Sequence, residues 1–268
     1  MSRHEERGRV LIVAGSDSGG GAGIQADIKT VTALGGHAAT AITAITVQNT
    51  LGVMGAWPVP LQVIEGQARA VLDDIGTDAV KTGMLGDVAV VELAARLIED
   101  ADAPAVVDPV MVAKGGHALL DPDAVGALKE WLVPRATLFT PNAPEAAALT
   151  GLTVETTHDL MRAGEALLAM GAGAVLMKGG HVAGPRVVDL LMTPYATTRY
   201  ETGRIGTRHT HGTGCTLASA CAVGLAQGLS LDAAVERARD YVLEAIRRAP
   251  GFGAGHGPLD HAWPVGRH

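Results

Sequence analysis

Apolar residues in this chain fall into short runs that alternate between two spacings. RVLIVAG (9–15) is a continuous β-branched run ending in glycine, the pattern of a strand buried on both faces. AGIQADIKTVTALGG (22–36) follows with helical spacing and a glycine stop. AATAITAITVQN (38–49) reads as one Thr/Ile/Val-rich strand, and PLQVIEGQARAVLDDI (60–75) as a helix with proline at its start. Further strands are predicted at 78–85, 104–111, 136–142 and 172–180, with helices near 87–100, 121–132 and 157–170. A hairpin is predicted near 186–202, then two helices, 212–228 and 230–248, and a glycine-rich irregular tail.

Repeated strand-then-helix units with near-continuous apolar strands imply a mostly parallel sheet covered by helices on both faces. The expectation is one α/β domain over 1–268, three layers deep, with irregular tails at 1–8 and 264–268. Ligands of such sheets bind at the carboxyl ends of the strands. The polar residues falling there are Gly15 to Gly23, Gln48, Lys81 to Met84, Asp108, Asn142 and Lys178.

Composition narrows the class. Hydrophobic residues make up 47% but aromatics only 3%, so the core is built from Ala, Val, Leu and Ile. A net charge of −7 argues against nucleic-acid or anionic-membrane partners. No run reaches the roughly 18 apolar residues of a membrane helix. The charged MSRHEERGR start does not resemble a signal peptide, and two cysteines make no disulfide framework. A cytoplasmic protein is expected.

The glycine-rich loop GSDSGGGAG (15–23) matches several motifs superficially. GAGIQA (21–26) satisfies the dinucleotide fingerprint, but the next strand ends in Gln48-Asn49 rather than in the acidic residue that binds ribose. SDSGG resembles a serine-protease loop but closes the first strand of an α/β pattern. No phosphate-loop signature precedes Lys29-Thr30. What remains is a loop whose backbone can approach a ligand closely.

HGTGCT (211–216) stands directly before a helix, so Gly212, Thr213, Gly214 and Cys215 aim backbone N–H groups outward from its positive end. Such a turn suits a phosphoryl group in transit. A phosphocysteine mechanism would want an arginine six residues beyond Cys215, where Cys221 stands. No zinc pattern is present, and His209 and His211 read as loop residues. Cys215 is left as a base or a polarising group, its thiol acidity open to lowering by the helix terminus. Asp108, Asn142, Glu145 and Lys178 complete a parts list for nucleotide-dependent phosphoryl transfer, the carboxylates holding Mg²⁺ directly or through water.

Taken together, AGSDSGGGAGIQAD, TAITVQNT, KTGML, TPNAPEA, MKGGH and HGTGCT resemble the hydroxymethylpyrimidine/phosphomethylpyrimidine kinases of thiamin biosynthesis, within the ribokinase-like superfamily. The resemblance implies a homodimeric, ATP- and Mg²⁺-dependent kinase. Its substrates would be 4-amino-5-hydroxymethyl-2-methylpyrimidine and then the monophosphate. It implies a pyrimidine pocket of Gly15, Ala22, Asp27, Gln48, Met84 and Val110, with Thr46 beside Gln48. It places Asp108, Glu145, Lys178 and Asn142 at the Mg·ATP phosphates, Gly212 to Cys215 as anion hole, and Lys114 on a mobile loop over the site. In most ribokinase-like sugar kinases an aspartate base occupies the position of Cys215. Pyridoxal kinase is the nearest alternative, and a non-catalytic nucleotide or vitamer binder the alternative from another class.

Overall fold

The structure is a computed structural model describing residues 7–113 and 115–265. Lys114 therefore lies outside the described residues, as do most of the expected N-terminal tail and the last three residues.

Among the described residues the strands are β1 (Arg9–Ala14), β2 (His37–Ile42), β3 (Ala44–Asn49), β4 (Gly52–Pro58) and β5 (Ala79–Thr82). They continue with β6 (Ala105–Val107), β7 (Leu138–Phe139), β8 (Val175–Met177), β9 (Arg186–Met192) and β10 (Thr197–Gly203). Eight of them form one sheet in the order β10-β9-β8-β7-β6-β5-β1-β2. Pairing is parallel from β2 across to β8 and antiparallel at β8–β9 and β9–β10. The predicted hairpin is thus an edge of the main sheet.

The helices are α1 (Gly23–Ala33), α2 (Leu61–Asp74), α3 (Val88–Ala101), α4 (Ala124–Ala127), α5 (Ala143–Thr150), α6 (Thr157–Ala169), α7 (Thr213–Ala226) and α8 (Leu231–Arg247). The predicted helix at 121–132 is α4 continued by a wider turn at Leu128–Leu132. Local chemistry fixes several starts. Asp87 accepts from Val90 N–H at α3, and reciprocal side-chain and backbone bonds cap α5 (Asn142, Glu145) and α6 (Thr156, Asp159).

Along β1 the side chains divide by alternation. Leu11 and Val13 join the core under α2, α3 and α6, whereas Val10, Ile12 and Ala14 join the core under α1, α7 and α8. Two apolar layers on opposite sheet faces make the three-layer α/β/α architecture that the repeating units predict.

One expectation fails. The run 38–49 is two strands, broken at Thr43. Strand β1 ends at Ala14, whose carbonyl accepts from Thr43 N–H at 3.0 Å, and beyond it the glycine loop turns away. With no partner in the main sheet, β3 leaves it and pairs antiparallel with β4 as a separate two-stranded flap. Strand β4 was not predicted, because Gly52, Gly55 and Pro58 give GVMGAWP the texture of a loop.

Candidate active site

A cavity of about 890 Å³ opens at the carboxyl ends of β1, β5, β6, β7 and β8, under the β3–β4 flap. The strands end early there, and this is what delivers the polar groups. β6 stops at Val107, so Asp108 and Pro109 leave the sheet; Lys178 follows β8 and donates its backbone N–H to Pro141 O at 2.9 Å.

Gly212, the N-cap of α7, has φ of +81°, and a Cβ there would fall inside the carbonyl of Gly21. Glycine is required on both counts. The turn that follows, Thr213, Gly214 and Cys215, lines the cavity. A Cβ on Gly214 would sit 3.3 Å from Lys178 Nζ and 3.6 Å from Asp108 Oδ2, so the helix terminus faces these charges with nothing between. Behind it, Thr216 Oγ1 donates to Gly212 O at 2.8 Å and lies 3.0 Å from His261 Nε2.

Lys178 Nζ donates to Asp108 Oδ1 at 2.8 Å and stands 3.8 Å from Glu145 Oε2. Thr140 Oγ1 also donates to Asp108 Oδ1, at 3.2 Å. Burial disfavours the Lys178 ammonium, but the adjoining carboxylates of Asp108 and Glu145 outweigh it and raise its pKa. Burial pushes Glu145 up to about 7; Lys178 and the Asn142 hydrogen bonds pull it down, while Asp108 adds to the rise. Two carboxylates thus share one ammonium, which leaves the site short of positive charge. That donor set, paired carboxylates with no third protein ligand grouped beside them among the described residues, fits Mg²⁺ completed by phosphate oxygens and water.

Cys215 opens partly onto the cavity, yet its sulfur is enclosed. Burial pushes the thiol up to about 12, with Asp27 and Asp108 adding to the rise and Lys81 and the Gly23 N–H opposing it. This rise runs opposite to the lowering that a helix terminus gives a thiol.

Of the expected pocket residues, Gly15, Ala22, Gln48, Met84 and Val110 line the cavity, and Thr46 joins them from the flap. Asp27 does not. It is fully buried in α1, both of its oxygens lie 2.9 Å from Lys81 Nζ, and Ser219 Oγ donates to it at 2.7 Å. Its carboxylate is spent on neutralising a buried cation, and Lys81 borders the cavity in its place. Burial disfavours the Lys81 ammonium, but Asp27 in contact holds it protonated.

Three features were not singled out from sequence. Asp17 and His211 form a buried pair at 2.9 Å, joining the glycine loop to the residue before Gly212. Arg204 donates to three carbonyls of the 180–184 loop. Val242, Leu243 and Ile246 of α8 supply an apolar part of the cavity wall. The cavity lining therefore combines flap residues, the charged Lys178, Asp108 and Glu145, and an apolar wall from α8.

The family description "Phosphomethylpyrimidine kinase" matches residues 17–260. A hydroxymethylpyrimidine/phosphomethylpyrimidine kinase of Streptomyces coelicolor is 52% identical over 257 residues, 96% of this chain and 95% of that protein. The fold superposes on Bacillus subtilis pyridoxal kinase in complex with ADP with a TM-score of 0.90 and 36% identity, covering 97% of this chain and 100% of that one. Phosphomethylpyrimidine kinase of Clostridium difficile gives 0.79 at 40% identity, covering 89% and 99%. The chain belongs to the phosphomethylpyrimidine kinase family of ribokinase-like phosphotransferases.

Proposed function

We propose that the chain transfers the γ-phosphoryl group of Mg·ATP first to the hydroxymethyl oxygen of 4-amino-5-hydroxymethyl-2-methylpyrimidine, then to the monophosphate so formed. The observation that carries this reading is the N-terminus of α7 facing Lys178 and Asp108 in a cavity lined also by the flap and by α8.

The ring sits under the flap, where the Gln48 amide offers a donor and an acceptor to the aminopyrimidine edge and Met84 and Val110 lie against its faces. ATP lies along the α8 wall with its phosphates toward Lys178 and Asn142. Asp108 and Glu145 hold Mg²⁺, directly or through water, and the bound cation supplies neutralisation of phosphate charge. The N–H groups from Gly212 to Cys215 receive the phosphoryl oxygens during transfer, and Lys178 counters their charge.

A transfer with a loose transition state releases the acceptor proton late, so a strong base is not required. With its thiol held near 12, Cys215 orients the alcohol through its sulfur and contributes its N–H to the anion hole. The second acceptor is a phosphate already ionised at neutral pH and needs no such orientation. Cys215→Ala, which keeps the backbone N–H, is expected to slow the first step more than the second; equal losses would show that the sulfur does not act through the alcohol.

The pyridoxal-kinase likeness supports a second reading, in which pyridoxal is the acceptor. Comparing kcat/KM for the pyrimidine, its monophosphate and pyridoxal separates the two: a preference for both pyrimidines supports the proposal, and dominance of pyridoxal replaces it.

We also infer a homodimer. Ile45, Val47 and Trp57 share the outer face of the flap and are 46–57% exposed, an apolar face suited to a second copy.

A further inference from the structure

We propose that Asp17 and His211 are positioning residues that set the gap between the acceptor pocket and the phosphoryl-binding turn, an inference that rests on the kinase reading above. The two sides of the reaction come from opposite ends of the chain. Gly15 and Ala22 belong to the loop after β1, whereas Gly212 to Cys215 open α7. In-line transfer requires the acceptor oxygen and the phosphorus within about 3–3.5 Å and aligned. The relation between the loops is therefore set by whatever bridges them.

Asp17 supplies a side-chain bridge, beside the Gly23 N–H on the Cys215 thiol and the packing of Gly21 on Gly212. It is 1% exposed, and its carboxylate accepts four hydrogen bonds. Gly19 N–H reaches Oδ1 at 2.8 Å; Gly21 N–H at 2.9 Å and Ala22 N–H at 2.8 Å reach Oδ2. Three backbone donors suffice to shape the glycine loop alone. The fourth, His211 Nε2–H at 2.9 Å, comes from the residue immediately before the N-cap of α7. A carboxylate that only accepts fixes the histidine tautomer with its proton on Nε2.

The contact is close on every side. The His211 ring lies against Gly21, where a Cβ would stand 2.6 Å from its Cδ2, and the Gly21 carbonyl packs on Gly212. His211 N–H donates to Gly257 O at 3.2 Å, and Asp17 N–H to Gln25 Oε1 at 2.7 Å, so neither partner is free to follow the other. Burial opposes the Asp17 charge, but the bonds from His211, Ala22 and Gly19 outweigh it and lower its pKa. Both residues border the cavity, but the reading above gives neither a contact with the pyrimidine or with ATP.

The test uses Asp17→Asn, His211→Leu and His211→Gln in the full chain, the last keeping an N–H near the Nε2 position. Loss of the bridge is expected to lower kcat about 10- to 100-fold in Asp17→Asn and His211→Leu. KM for the acceptor and for Mg·ATP should stay near wild type, and His211→Gln should recover most of the rate. Amide hydrogen exchange provides a readout that needs no acceptor. His211→Leu should accelerate exchange at Gly21 and Ala22, although the substitution lies in the other loop. Unchanged kcat and unchanged exchange in His211→Leu would overturn the proposal. So would a loss in which melting temperature and ligand affinity fall together and His211→Gln rescues nothing. A wild-type enzyme inactive on the pyrimidine would count against the kinase reading, and the exchange result would still decide the bridge.

Discussion

Asp27 shows how residue type and residue role separate. The resemblance assigns it to the pyrimidine pocket. In the fold the α1 turn points it inward onto Lys81, with both groups fully buried. A buried pair that loses one partner leaves an uncompensated charge, at a cost of about 3–5 kcal/mol. Asp27→Asn is therefore expected to destabilise the protein by about that amount in denaturant unfolding, and Asp27→Asn/Lys81→Met to recover most of it. A direct substrate role predicts instead a raised acceptor KM at unchanged stability. Gly15 and Met84 were legible because each follows the end of a strand of the main sheet, where topology directs it to the site. Asp27 lies one helical turn further on, and its partner is 54 positions away, so spacing carries no trace of the pair.

At the scale of elements, α7 is held at its start by a residue from the chain's irregular tail. His261 is 4% exposed and reaches Thr216 from behind the turn at 212–215. Burial, with nearby Lys29 adding to it, pushes its pKa down to about 4. The unfolded chain takes up this proton near pH 6.5 and the folded chain only near 4, so stability contributed by neutral His261 is lost as pH falls through that window. The loss reaches about 3 kcal/mol. Urea unfolding at pH 7 and pH 4.5 should show this fall in wild type and a smaller one in His261→Gln. The helices were legible from their spacing and caps, since Asn142–Glu145 and Thr156–Asp159 are local signals. The flap was not. Whether 38–49 stays in the sheet depends on where β1 ends, a non-local fact, and β4 carries glycines and a proline in place of a strand signature.

Across the whole molecule, the flap serves the cavity on one face and is bare on the other. Thr46, Gln48 and Val53 line the cavity, while Ile45, Val47 and Trp57 face away. If a second copy covers that outer face, Ile45→Asp/Trp57→Asp should convert a dimer to a monomer by light scattering and raise the acceptor KM by loosening the flap. A wild-type monomer at working concentration would remove the dimer reading. The three-layer architecture was readable from alternation alone, because parallel strands buried on both faces need helices on both sides. No helix among the described residues is long and apolar enough to cross a membrane.

On the proposed function, one cavity carries out two successive phosphoryl transfers on a pyrimidine, and phosphorus NMR of wild-type protein with Mg·ATP and hydroxymethylpyrimidine follows both. A monophosphate ester resonance should rise first, then decline as paired diphosphate resonances replace it. A monophosphate that accumulates without diphosphate, or no ester at all beside turnover of pyridoxal in the parallel sample, would contradict the proposed function.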